Sequence, residues 1–249
     1  ATSKVAGQRG DVVYGGQGID TIVSSFNNDL ILGGEFVSNV YEDLEGDWID
    51  YSSLVSANSY GVSVNLTATT ALTFIGADSD RSAYNGDYSK VYKLDSSGAV
   101  VTTDFDNLRG IDYIKGSAYS DTLKGDTSGN SILAGDGDDT IFLDASGADY
   151  IDGGTGTDFV SFNFGDTTGI TLDLSNADIQ NTGKGRVQII NVENVEGGSG
   201  DDKLFGNSSD NVLKGGLGND TLVGRQGNNT LDGGTGIDTA DYSAVDSSN

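Results

Sequence analysis

Acidic residues recur along this chain at nine-residue steps. One register runs through Asp11, Asp20, Asp29, Ser38 and Asp47. A second runs through Asp112, Asp121, Asn130 and Asp139, then shifts by one residue to Asp149 and Asp158. A third runs through Glu193, Asp202, Asn211, Asp220, Asn229 and Asp238. Carboxylates at fixed spacing can bind metal ions or act as general acids and bases. The chain carries 38 Asp+Glu against 13 Lys+Arg, a formal net charge of -25, and neither His nor Cys. That removes the usual zinc and copper ligands, the thiolate nucleophile, disulfides and the Ser-His-Asp triad. What remains is oxygen chemistry. A hard divalent cation fits it best, and calcium accepts about six to eight carboxylate and backbone carbonyl oxygens.

The neighbouring residues show how such carboxylates would be positioned. Two residues after each acidic position stands an apolar one: Val13, Ile22, Ile31, Val40 and Ile49, then Ile114, Leu123, Ile132, Ile141, Ile151 and Val160, then Val195, Leu204, Leu213, Leu222, Leu231 and Ala240. The stretch from Gly15 to Val23 is a full match to the nonapeptide GGxGxDxUx, where U is a large aliphatic residue. Its six-residue GGxGxD part makes a tight turn, because glycine reaches positive φ without steric cost. Its xUx part makes a three-residue strand with U pointing inward. Two nonads complete one coil of a flattened roll, so turns on one side come from alternate nonads and stack at about 4.8 Å. Carboxylates that close repel one another, and a calcium ion between adjacent turns would remove the repulsion. This spacing puts Asp11, Asp29 and Asp47 on one side, Asp121, Asp139 and Asp158 on another, and Asp202, Asp220 and Asp238 on a third. Asp20, Asp112 and Asp149 complete the candidate ligands. Opposite the third set lie Glu193, Asn211 and Asn229, where the uncharged amides predict weaker or absent calcium; Asp112, Asn130 and Asp149 should be intermediate.

The repeated nonapeptide resembles that of the RTX (repeats-in-toxin) family, and the nonads cover residues 6–50, 107–161 and 188–241. The resemblance implies an all-β fold: a calcium-bound parallel β-roll (RTX β-solenoid) interrupted by β-rich insertions, with Ca2+ as cofactor. It also implies a protein that a Gram-negative bacterium exports by type I secretion, and that folds in calcium outside the cell or on its surface.

A longer repeat lies over the short one. The segment from Gly46 to Leu54 resembles those from Gly156 to Phe164 and from Gly236 to Ala244. After the first two come the alternating stretches GVSVNL (61–66) and GITLDL (169–174), which read as half-buried strands. The expected division is a first array at 1–50, an exit strand and insertion at 51–106, a second array at 107–161, a short insertion at 162–187, and a third array at 188–249 that stops at its exit segment. The chain is therefore expected to be an excerpt of a longer protein with neighbouring domains. The first insertion contains a hairpin signal, with Lys90 to Asp95 and Ala99 to Phe105 around Ser96-Ser97-Gly98. It is also rich in Tyr and in basic residues, and Arg81, Tyr84 and Tyr88 are its candidate ligand contacts. The same aromatics could instead pack the insertion onto the roll.

In layout the chain resembles the peptide-binding modules of long bacterial RTX adhesins. That implies a calcium-dependent ligand-binding module recognising a peptide C-terminus or another cell-surface ligand. The alternative is a calcium-triggered folding and secretion roll, or a spacer, with no ligand of its own. No motif brings a nucleophile, a base and an oxyanion donor together, so no enzyme activity is expected. The acidity argues against nucleic acid as a partner, no apolar run is long enough to enter a membrane, and a monomer is expected.

Overall fold

The computed structural model describes the backbone of ten strands and Tyr51 within residues 3–109, and residues 111–143, 146–162 and 167–243 with their side chains; side chains are also described at 21–23 and 49–51. All regular elements among the described residues are strands. Most are three residues long, as the xUx part of the nonad requires.

The strands form two stacked faces. The first face runs Ser3–Val5, Thr21–Val23, Trp48–Asp50, Tyr113–Lys115, Ser131–Leu133, Ala148–Asp152, Arg186–Ile190. A sheet of Thr171–Asp173, Lys203–Phe205, Thr221–Val223 and Thr239–Ala240 follows it. The second face is one eleven-stranded sheet reaching from Val12–Tyr14 to Thr230–Thr235, so strands of all three arrays lie in it. Register is set by the central apolar residue of each strand. On the first face Ile22, Ile49, Ile114, Ile132, Ile151 and Ile189 pair in succession. On the second, Leu123, Ile141, Val160, Val195 and Leu213 do the same. All eleven side chains are buried and belong to one core. A one-residue slip would turn each of them outward, which is why the register is tightly specified.

One expectation is corrected here. Ile22 pairs with Ile49, three nonads away rather than two, because Glu35–Val37 and Val40–Glu42 form a separate antiparallel hairpin. The strand after Asp47 therefore follows the strand after Asp20. The expected grouping of Asp11, Asp29 and Asp47 on one side falls on residues that lie outside the described ones.

The two interruptions share one topology on opposite faces. In the first, Val62–Ala71 pairs forward with Thr122–Lys124, and Val100–Arg109 pairs back to Leu30–Leu32. Asp87–Leu94 lies between them, antiparallel to both, and its pairing with Val100–Arg109 is the hairpin that the sequence signal predicted. The first face continues across this point, with Trp48–Asp50 directly beside Tyr113–Lys115. In the second, Thr171–Asp173 pairs forward with Lys203–Phe205 and Arg186–Ile190 pairs back to Ala148–Asp152. Gln180–Asn181 runs antiparallel to Arg186–Ile190, and the Thr171 N–H donates to the Thr182 carbonyl at 3.0 Å. Here the second face runs on, with Phe159–Ser161 beside Asn194–Gly198.

The second interruption is tied down by Arg225. This residue has a φ of 61°, at the position where the nonapeptide has its second glycine. Its guanidinium donates to both oxygens of Asp173 at 2.6 and 2.7 Å and to the Gly206 carbonyl at 2.7 Å. It also reaches the Ser175 hydroxyl and lies 5.5 Å from the centre of the Phe205 ring. Burial alone would push Asp173 up, but the Arg225 and Ser175 hydrogen bonds outweigh it and hold the carboxyl below its ordinary value. Positive φ costs a non-glycine residue about 1 kcal/mol, so the side chain must offset that strain. Arg225→Gly relieves the backbone yet removes the fork. We expect it to lower stability by about 1–2 kcal/mol, the worth of a hydrogen-bonded charge pair, and to lower the melting temperature measured in calcium. An unchanged or raised melting temperature would show that the fork contributes nothing.

Candidate metal centre

Turns connect the faces along two edges. The first edge, leading from the first face to the second, carries Asp121, Asp139, Asp158, Glu193, Asn211 and Asn229. The other carries Asp112, Asn130 and Asp149, and further along Asp202, Asp220 and Asp238. The acidic run thus changes edge at the second interruption. Asp11, Asp20, Asp29 and Asp47 lie outside the described residues, as do Arg81 and Tyr84, while Tyr88 is described by its backbone strand alone.

Within each run the carboxylates form a ladder. The Asp121 N–H donates to Asp139 Oδ1 at 2.7 Å, the Asp139 N–H to Asp158 Oδ1 at 2.9 Å, and the Asp158 N–H to Glu193 Oε2 at 2.9 Å. On the other edge the Ile170 N–H donates to Asp202 Oδ1 at 2.7 Å, the Asp202 N–H to Asp220 Oδ1 at 2.8 Å, and the Asp220 N–H to Asp238 Oδ1 at 3.0 Å. Asp149 Oδ1 accepts from the Asn130 N–H at 2.9 Å. Each aspartate therefore spends one oxygen on the coil before it. The second oxygen, Oδ2, is buried with no hydrogen-bond partner in Asp139, Asp158, Asp202 and Asp220. A buried carboxylate oxygen without a hydrogen-bond partner is costly, so these four atoms are the ones a cation would stabilise most.

Glycine lets the carboxylates sit this way. A Cβ at Gly197 or Gly215 would overlap the carboxylate of Asp202 or Asp220. Two aspartates depart from the pattern. Both oxygens of Asp121 are taken by Ser117, its N–H at 2.7 Å and its hydroxyl at 2.9 Å, in a turn without the full glycine pattern. Asp238, at the far end of its ladder, is exposed.

Asparagine resolves the same stacking differently. The Asn211 amide donates to the Glu193 carbonyl at 2.7 Å while its oxygen accepts from the Asn207 N–H at 3.0 Å. Asn130 repeats this with the Asp112 carbonyl at 3.3 Å and the Asp126 N–H at 2.9 Å. The amide supplies the donor that an aspartate lacks, so these turns close on their own hydrogen bonds.

Electrostatics follow burial. Burial first, then the charges of Asp121, Asp158 and Asp138, push Asp139 up to about 8 against the opposing Asp121 N–H. Burial, with Glu193 and Asp138 adding to it, raises Asp158 to about 6; burial and Asp220 raise Asp202 to about 6. Asp220 and Asp112 are also raised, mainly by burial. Among the described residues no three carboxylates converge on one point. A cation here would draw on the carboxylates of neighbouring turns and on turn carbonyls. That donor set is all oxygen and suits calcium. The sequence did not show that Glu193 continues the Asp158 ladder across the interruption, nor that Ser117 occupies Asp121.

A family model described as the RTX calcium-binding nonapeptide repeat (4 copies) matches residues 5–36, 108–141, 142–168, 192–222 and 205–240, more than half of the chain. No curated protein matches it.

The raised carboxyls give a pH dependence with a definite sign. An acid whose pKa is higher in the folded chain favours folding while protonated, and that contribution is lost as pH rises through the folded value. In chelator, stability should therefore fall between about pH 4, the ordinary aspartate value, and about pH 8, where Asp139 ionises in the fold. Asp139→Asn should reduce that fall. Circular dichroism in chelator across this range checks it, with β-sheet signal kept near the acidic end and lost toward the upper one, and a signal that grows with pH in chelator would contradict it.

Proposed function

The chain belongs to the RTX calcium-binding nonapeptide repeat family, and from that membership we propose that it is a calcium-dependent ligand-binding module of a secreted bacterial RTX adhesin. Its repeats are calcium-binding motifs, and such repeats are typical of secreted bacterial proteins. In this reading Asp139, Asp158, Asp202 and Asp220 are the principal calcium ligands, because their free oxygens need a cation. Asp11, Asp20, Asp29, Asp47, Asp112, Asp121, Asp149 and Asp238 have the same place in the repeat. Bound calcium supplies positive charge that lets stacked carboxylates stay ionised. At about 1 mM free calcium, a site with a dissociation constant of about 10⁻⁴ M adds roughly 1.4 kcal/mol of stability. The protein is exported by a type I system, folds in extracellular calcium and acts at the surface of a Gram-negative cell.

The observation that carries a binding role is the first insertion. A roll needs only three-residue strands, yet Val62–Ala71 and Val100–Arg109 each have 10 residues and are spliced into a sheet that could close without them. A spacer or secretion element gains nothing from this elaboration. The ligand is a peptide C-terminus or another surface group, held by the insertion at 51–106, with Arg81, Tyr84 and Tyr88 as contacts.

Calorimetric titration of the calcium-loaded protein with short peptides bearing free C-termini, and with their amidated forms, tests the carboxylate-capture form of this reading. Binding that disappears on amidation and in chelator is expected if the ligand is a peptide terminus. If neither peptides nor glycans bind while calcium-dependent folding is intact, the spacer reading replaces it.

A further inference from the structure

Successive coils are locked together by reciprocal pairs of side-chain bonds. The residue just before a ladder acid supplies an outer arm, and the acid of the next coil supplies the inner one. Across the step from Asp138-Asp139 to Thr157-Asp158, the Thr157 N–H donates to Asp138 Oδ1 at 2.8 Å and the Asp139 N–H donates to Asp158 Oδ1 at 2.9 Å. Across the step from Asp201-Asp202 to Asn219-Asp220, the Asn219 N–H donates to Asp201 Oδ1 at 2.7 Å and the Asp202 N–H donates to Asp220 Oδ1 at 2.8 Å. The two arms of each pair reach in opposite directions along the roll. Ser120 and Asn219 supply the outer arm at two further steps, accepting from the Asp138 N–H at 3.1 Å and the Ile237 N–H at 2.9 Å. Asp210 does so on the asparagine edge, where it accepts from the Asn228 N–H at 2.6 Å and Asn229 accepts from the Asn211 N–H at 2.9 Å. The nonapeptide GGxGxD leaves the residue before its aspartate unspecified, so the motif assigns this arm no role.

We propose that Asp138 and Asp201 are positioning residues of the metal ladders: they set the gap between neighbouring ladder carboxylates, and with it the size of the cation that fits. The proposal rests on the reading of the ladders as calcium sites and adds residues that act on them without ligating. Placement is the first argument. The steps that Asp138 and Asp201 span are those in which both inner carboxylates keep a buried Oδ2 without a hydrogen bond, Asp139 with Asp158 and Asp202 with Asp220. Bonding is the second. Backbone pairing holds the strands at their spacing, as between Thr140–Phe142 and Phe159–Ser161, but at these turn positions the N–H groups donate to side chains instead. A carboxylate that accepts a backbone N–H makes one of the stronger kinds of hydrogen bond, so the outer arm is a firm tie across the gap. Exposure is the third. Asp138 and Asp201 are exposed while the ladder acids beside them are buried, so the outer arm ties the two turns together on their solvent side. Removing it frees the turns to separate there, and selection among oxygen-bound cations depends on cavity size and ligand flexibility.

Folding driven by calcium and by strontium, a larger ion of the same charge, tests this. Far-ultraviolet circular dichroism gives the concentration of each ion at the midpoint of folding. A substitution that only weakens the fold raises both midpoints by the same factor and leaves their ratio unchanged. Asp138→Ala combined with Asp201→Ala should raise the calcium midpoint more than the strontium one, lowering the strontium-to-calcium ratio about twofold or more. Asp138→Asn combined with Asp201→Asn should keep the native ratio, since Asn219 already makes this bond with its amide oxygen. Asp210→Ala removes the same kind of arm from the asparagine edge and should leave the ratio unchanged. If the double alanine variant folds in neither ion, the two single alanine variants carry the test. A ratio that the alanine variants leave unchanged, or that Asp210→Ala lowers equally, overturns the proposal and leaves the calcium reading standing. A native chain that folds with neither ion present overturns both.

Discussion

Carboxylates stacked one strand spacing apart are the constraint on which this roll depends. Parallel pairing puts successive turns about 4.8 Å from each other, and the nonad places an acidic residue in each of them. Along each ladder an aspartate uses one oxygen to accept the N–H of the preceding coil, as Asp139 does from Asp121 and Asp158 from Asp139. The other oxygen is then buried beside like charge, which raises these carboxyls well above their ordinary range. The chain relieves the conflict with three kinds of positive or donor group. In the reading proposed above, calcium serves the aspartate ladders, and the repeats belong to a calcium-binding family. The side-chain amides of Asn130 and Asn211 donate to the carbonyl of the coil before. The Arg225 guanidinium bridges Asp173 and the Gly206 carbonyl on the edge where asparagine has replaced aspartate.

The same modularity explains the interruptions. Each coil contacts mainly its neighbours, so a strand pair can enter one face while the other face runs on. The exit strand pairs forward and the return strand pairs back in both places, which keeps the parallel direction of the roll. At the second interruption the acidic run moves to the opposite edge. The Asp158 ladder ends on Glu193, and a new ladder begins where Asp202 accepts the Ile170 N–H from the inserted segment.

Much of this was legible in the sequence because the period of nine couples a turn to an inward residue. Ile114, Leu123, Ile132, Ile141, Ile151 and Val160 are all buried where the spacing put them. The strands GVSVNL and GITLDL and the hairpin after Lys90 were visible as alternation around turn residues. The pairing of Trp48–Asp50 with Thr21–Val23 was not, because Val40 keeps the apolar beat while its strand leaves the roll as a hairpin. Periodicity also does not report which face an insertion enters, since that depends on pairing between residues far apart in the chain. The Arg225 fork and the Ser117 bonds to Asp121 depend on such tertiary neighbours or on departures from the glycine pattern.

The most direct test of the central claim is a calcium titration followed by far-ultraviolet circular dichroism and thermal melting, starting from chelated protein. The account predicts that the β-sheet signal and a cooperative melt are lost in chelator and return together as calcium is added, with magnesium unable to replace it. Chelated protein that keeps its β-sheet signal and melting temperature would contradict the account, because the stacked carboxylates would then need no cation.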